Sequence, residues 1–123
     1  MGQKVEFIKN EGPVLGTFNL ENFLDSDQIS FTKNLQSIYT AIEITRKNLD
    51  KKKSLIAFIG APWTLLVYMF GLKKNKNEIN LGKTILEQPK IKKILDKLSE
   101  FLCLHIKNQV SAGADVVQIF DSW

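Results

Sequence analysis

Val116-Val117-Gln118-Ile119-Phe120-Asp121-Ser122-Trp123 is the stretch that decides the fold. Its first five residues, broken only by Gln118, suit a β-strand covered on both faces, as in a parallel α/β sheet. Asp121-Ser122-Trp123 then forms a polar tip. Ligands of such sheets sit just past the carboxyl ends of the strands, so the tip reads as part of a binding site. A domain is not expected to stop on the lip of its own site. The 123 residues are therefore read as one internal fragment, residues 1–123, of a larger enzyme.

Working back from that strand, Gly113 is placed to end a helix. Ile91, Ile94, Leu95, Leu98, Leu102, His105 and Gln109 mark one face of that helix, over about residues 89–112, with Lys92, Lys93 and Lys97 on the wet side. Residues 55–59 form a second, wholly apolar strand. Gly60-Ala61-Pro62 is its exit, and Pro62 suits the first turn of a helix over residues 63–70. Residues 72–80 read as a Lys/Asn-rich loop and residues 81–87 as a short helix.

Nearer the start, Phe31, Leu35, Ile38, Ile42, Thr45 and Leu49 recur at steps of four and three and predict one helix over residues 30–49. The cations of Asp50-Lys51-Lys52-Lys53 suit its carboxyl end. Residues 22–30 read as a polar connection holding helix caps, residues 4–8 as a short strand, and Asn10-Glu11-Gly12-Pro13 as a turn. The alternation predicts an α/β fold of parallel βαβ units with about three parallel strands, in which 55–59 and 116–120 are neighbours.

The composition, 44% hydrophobic and 24% charged, is that of an ordinary globular domain. No apolar run approaches the ~18 residues of a membrane span, and residues 1–8 do not read as a signal peptide. Neither a membrane nor a secretory route is expected. A lone Cys103 leaves no internal disulfide and fits a cytoplasmic location. The net charge of +4 comes from sixteen lysines and one arginine, Arg46. A planar two-pronged grip on carboxylate or phosphate favours arginine, so a strong anion clamp is not expected within these residues. RNA-binding aromatic patterns and zinc-finger spacings are absent, and nucleic acid is set aside as a partner.

Two strand tips carry the candidate chemistry, Gly60-Ala61-Pro62-Trp63-Thr64 and Asp121-Ser122-Trp123. Parallel neighbours bring them to one edge of the sheet, and Tyr68 lies within reach of that edge. Spacing alone leaves two readings open, a shared site or a well-packed helix start. Cys103 and His105, two apart on a helix, point in different directions and make a poor metal site. They read as a small core residue and a half-buried structural histidine. No GxGxxG or Walker pattern supports nucleotide binding.

Residues 55–65, Leu-Ile-Ala-Phe-Ile-Gly-Ala-Pro-Trp-Thr-Leu, followed by Tyr68-Met69, resemble the central motif of the uroporphyrinogen decarboxylase family. Residues 112–123, Ala-Gly-Ala-Asp-Val-Val-Gln-Ile-Phe-Asp-Ser-Trp, resemble its next motif. Met1-Gly2, Val5 to Ile8 and Glu11-Gly12-Pro13 are similar to the segment after the family's catalytic aspartate loop. Ala41-Ile42, Thr45-Arg46 and Leu49 are similar to its helix before the central strand. The resemblance covers essentially the whole chain; it departs at residues 71–76, where many members are glycine-rich.

What the resemblance implies is part of a (β/α)8 barrel that removes carboxyl groups from the four acetate side chains of uroporphyrinogen, giving coproporphyrinogen in haem and porphyrin synthesis. The family works without metal or organic cofactor and is commonly a homodimer. By resemblance, Tyr68 and Ser122 bind the tetrapyrrole substrate, and Phe58 and Phe120 line its cleft. The catalytic aspartate and the carboxylate-binding arginines would lie upstream of Met1, and the cleft histidine downstream of Trp123. Asp121 does not replace that aspartate, and the fragment alone is expected to be inactive.

Two other readings stand beside this one. A related barrel acting as a zinc-dependent corrinoid or thiol methyltransferase would need Cys and His ligands at the tips. A free-standing α/β module would bind a ligand or protein without catalysis. Tyr39, on the first long helix, is expected to be dispensable for turnover.

Overall fold

A computed structural model describes residues 3–9, 12–70, 87 and 89–122. The expected loop at 72–80, most of the expected helix at 81–87, Asn10-Glu11 and Trp123 lie outside the described residues. The elements run β1 (Val5–Ile8), β2 (Gly12–Leu15), α1 (Leu20–Asp25), α2 (Gln28–Asn34), α3 (Gln36–Asn48), β3 (Ile56–Gly60), α4 (Pro62–Met69), α5 (Ile91–Ser111) and β4 (Val116–Phe120).

β3 and β4 pair in parallel, in the register Ile56↔Val116 to Gly60↔Phe120, as expected. The expected third parallel strand is not found among the described residues. Residues 5–8 instead pair antiparallel with β2, from Val5↔Leu15 to Ile8↔Gly12. Gly12 and Pro13 of the expected turn belong to β2, with Pro13 opposite Phe7, and that strand holds too few apolar residues for periodicity to register.

Side chains alternate across a strand, so Ala57, Ile59 and Val117 share one face of the β3–β4 pair. That face packs on the helices. Ile59 joins Leu66, Val67 and Met69 of α4 and Ile94, Leu98, Phe101 and Leu102 of α5 in one core, with Val117 against it. Leu66, Ile94 and Leu98 are fully buried, each contributing about 1.5–3 kcal/mol relative to exposure. On the opposite face of the pair Ile56, Phe58, Val116 and Phe120 remain about half exposed or more within these 123 residues.

Two further corrections concern helices. Residues 22–30 are not merely a connection: Asn19 caps α1 through a 2.9 Å bond from Asn22 N, and Asp27 caps α2 through a 2.6 Å bond from Ser30 N. Phe23 of α1 is buried against Phe101, ring centroids 6.0 Å apart. The expected single helix at 30–49 is broken at Leu35, whose N–H turns tightly onto Thr32 O at 3.1 Å. That turn rotates the inner stripe by one residue. Tyr39 is buried in place of Ile38, which is exposed.

At the end of α5, Gly113 N bonds Val110 O at 3.0 Å and Ala114 N bonds Gln109 O at 3.1 Å. With Gly113 at φ 111° this is a Schellman ending. A side chain there would also collide: an ideal Cβ would stand 2.8 Å from Arg46 Cγ.

Candidate functional site

Gly60 ends β3 where the backbone must fold back on itself, and a Cβ there would meet Leu65 Cδ2 at 2.7 Å. Ala61 N then extends the sheet ladder by one bond to Phe120 O, at 2.7 Å. Pro62, which has no N–H to leave unsatisfied, opens α4. The two strand tips therefore emerge side by side at one edge, as the parallel reading requires.

The junction between them is Thr64. It is buried, in the first turn of α4, and its hydroxyl donates to Asp121 Oδ1 at 2.9 Å. The same oxygen accepts the backbone N–H of Ser122, also at 2.9 Å. One hydroxyl thus ties the start of α4 to the tip of β4. Ser122 is held through its backbone, and its residue is exposed. Tyr68 lies one helical turn beyond Thr64, on the same side of α4, and is 47% exposed.

Phe58 and Phe120 stand on the exposed face of the sheet. Their rings meet edge to face, centroids 6.0 Å apart at 67°, a favourable aromatic arrangement. The structure thus gathers Phe58, Phe120 and Ser122 at or beside one sheet edge, with Tyr68 on the helix that leaves it. Thr64 and Asp121 stand in the quoted motifs but carried no assigned role. A threonine in the first turn after Gly-Ala-Pro, facing a strand that ends in Asp-Ser, is the signal that was there to use.

Behind β3 runs a buried polar chain. Tyr39 Oη and His105 Nδ1 are 3.0 Å apart, His105 Nε2 and Gln109 Nε2 are 2.7 Å apart, and Gln109 Nε2 reaches toward Phe58 O at 3.5 Å. The last contact is at the limit of a hydrogen bond. Gln109 Oε1 is buried without a partner. If Gln109 donates to Nε2, the imidazole carries its proton on Nδ1 and donates it to Tyr39 Oη. Desolvation lowers the pKa of His105 below 6.5, which favours this neutral form. The structural reading of His105 holds, though it is buried rather than half-buried. Cys103 is exposed, which corrects the core reading: it lies off the α5 stripe that carries Phe101, Leu102 and His105.

Arg46 is committed at the opposite end of the strands. Its Nη1 donates to Lys53 O at 3.1 Å and Asp115 Oδ2 at 2.9 Å, and its Nη2 to Leu49 O at 3.2 Å and Asp50 O at 3.1 Å. Asp115 Oδ2 also accepts Leu55 N at 2.7 Å. No donor of that fork faces the strand tips. Among the described residues no group of three or more His, Cys, Asp or Glu side chains is placed to hold a metal ion, and no helix is long and apolar enough to cross a membrane.

The family model described as uroporphyrinogen decarboxylase (URO-D) matches residues 1–123. A protein named uroporphyrinogen decarboxylase from Campylobacter jejuni is 40% identical over 126 residues, covering 100% of this chain and 37% of the relative. Another of that name from Campylobacter concisus is 42% identical over 127 residues, with the same coverage. A third, from Orientia tsutsugamushi, is 39% identical over 127 residues and is covered over 36% of its length. The chain spans about 37% of the length of the first of these relatives.

Proposed function

The chain belongs to the uroporphyrinogen decarboxylase family, and on that premise we propose that it is part of a longer polypeptide that decarboxylates the four acetate side chains of uroporphyrinogen to yield coproporphyrinogen. The family is a (β/α)8 barrel. β3, β4 and the helices packed on them serve as consecutive units of that barrel, and the Phe58–Phe120 face is turned to its interior. The observation that carries the reading is the shared edge: two parallel strand tips, adjacent in register, with α4 springing from one and Ser122 from the other. Barrel enzymes assemble their sites at that edge.

Phe58 and Phe120 supply an apolar wall for the flat tetrapyrrole, and Tyr68 and Ser122 supply hydrogen bonds to its polar groups. Charge neutralisation falls to residues outside this chain, because Arg46 is committed elsewhere. The catalytic aspartate also belongs to the remainder. It stabilises the protonated pyrrole, whose cation receives the electron pair left when carbon dioxide departs, an electrostatic task for a fixed group. In this reading the complete protein is a cytoplasmic homodimer whose partner is the small-molecule substrate, and it engages no nucleic acid.

The test is direct. The full-length protein, given chemically reduced uroporphyrin, accumulates coproporphyrinogen, and the 123-residue chain alone gives no product. Failure of the full-length protein to consume the substrate overturns the reading.

A further inference from the structure

We propose that Thr64 is a positioning residue that sets the spacing between the two substrate-binding side chains, Tyr68 and Ser122; the inference rests on the site reading above. Tyr68 and Ser122 come from different elements, one from α4 and one from the end of β4. Their separation is set by whatever fixes α4 against the β4 tip. Beyond the ladder bond from Ala61 N to Phe120 O, the Thr64 hydroxyl makes such a contact with two bonds at once.

A hydroxyl has one proton to give and two lone pairs. Thr64 gives the proton to Asp121 Oδ1 and uses a lone pair for Ser122 N, both at 2.9 Å. The two bonds are linked in direction. Donation to the aspartate turns the proton away from the Ser122 amide and leaves a lone pair facing it. Asp121 therefore orients the hydroxyl, and the hydroxyl holds the amide of the neighbouring residue. Burial of Thr64 keeps water from replacing either bond from the helix side. The geometry also gives Asp121 a task other than chemistry on substrate.

Thr64→Val keeps the shape and removes both bonds. In the full-length protein it is expected to lower kcat/KM for uroporphyrinogen about tenfold, the scale of one lost hydrogen bond to a charged group. Thr64→Ser restores the hydroxyl and is expected to recover most of that loss. Ser122→Ala added to Thr64→Val is expected to cost little more, because a displaced Ser122 no longer contributes.

Three results would overturn the proposal. They are a Thr64→Val enzyme within about twofold of wild type, a loss explained entirely by a smaller folded fraction, and losses from Thr64→Val and Ser122→Ala that multiply in full. Should Thr64→Val not fold, Thr64→Cys, with similar volume and weaker hydrogen bonding, is judged by the same criteria. Tyr68→Phe and Ser122→Ala measured singly separate the two levels. If both are silent, the site reading falls and this inference with it. If both lose activity while Thr64→Val does not, only the role of Thr64 falls.

Discussion

At the amino ends of β3 and β4 a guanidinium fork commits four donors to fixed partners, whereas at the carboxyl ends a single neutral hydroxyl bridges a carboxylate and a backbone amide. The first end is closed. Arg46, Asp115, Leu55 and the Schellman turn at Gly113 satisfy one another and leave little over for a ligand. The second end is the more exposed, with Ser122 exposed, Tyr68 half exposed and an aromatic pair beside them. Changes at the closed end should therefore register as stability, and changes at the open end as activity.

The largest effect is expected at the open end. Tyr68→Phe in the full-length protein removes one hydroxyl and keeps the ring. It should lower turnover of uroporphyrinogen roughly ten- to a hundredfold, the equivalent of about 1.5–3 kcal/mol if the bond acts in the transition state. Steady-state rates alongside thermal melts check this, and a melt shifted as strongly as the rate would break the distinction between the ends.

At the closed end, Gly113→Ala forces a side chain into a positive-φ position and against Arg46 Cγ. A cost of about 2 kcal/mol is expected, read from denaturant midpoints, with kcat/KM per folded molecule unchanged. Arg46→Met should cost about 1–2 kcal/mol, held down by the partial exposure of the ion pair. The two variants should be non-additive, because an unpinned side chain at position 46 yields to the new methyl group. Full additivity would mean that the backbone strain at Gly113 acts alone.

How much of this was legible in the sequence follows from the range of each signal. The β3–β4 pair, the start of α4 at Pro62 and the end of α5 at Gly113 were readable, since each rests on a local apolar run or on a residue with a restricted backbone. The break at Leu35 was not. Phe31 stacks on Phe101, centroids 4.5 Å apart, while Tyr39 must meet His105 on the same helix α5. Two helices at different rotations satisfy both, yet the four-three pattern runs on across the break. Phe101 fits the stripe of Leu98 and His105 at steps of three and four, while its partners, Phe23 and Phe31, lie some seventy residues away.

At the candidate site, strand-tip spacing brings Tyr68 and Ser122 toward one edge, while their substrate-binding roles rest on motif resemblance. Thr64 is legible as a junction only when the two motifs are set side by side, because its two bonds reach 57 and 58 residues along the chain. Distance from the strand tips makes Tyr39 dispensable for turnover, and its burial with the hydroxyl on His105 gives it a part in stability instead. Tyr39→Phe should therefore lower stability by about 1 kcal/mol and leave turnover per folded molecule intact.

The smallest effect expected is one of pH. Burial holds the folded-state pKa of His105 below its ordinary value of 6.5. The unfolded chain then binds the proton more readily than the folded one, so this contribution to stability is whole above the unfolded pKa and is lost as pH falls below it. Melts of the full-length protein between roughly pH 7.5 and 5.5 should show the decline, and His105→Gln should flatten it. An unchanged slope in that variant would remove His105 as the cause.

Lysine outnumbers arginine sixteen to one in this chain, so nearly every side-chain cation is an ammonium. Arg46 marks the position where that exchange has a physical stop. Its two terminal nitrogens meet four oxygens spread across three separate stretches of chain, a task that needs a rigid plane of donors rather than a point charge. An ammonium has only three protons and would have to abandon at least one carbonyl while swinging freely on its stem. Arg46→Lys keeps the charge but not the fork, and its effect should be read in stability, as for the other changes at this end.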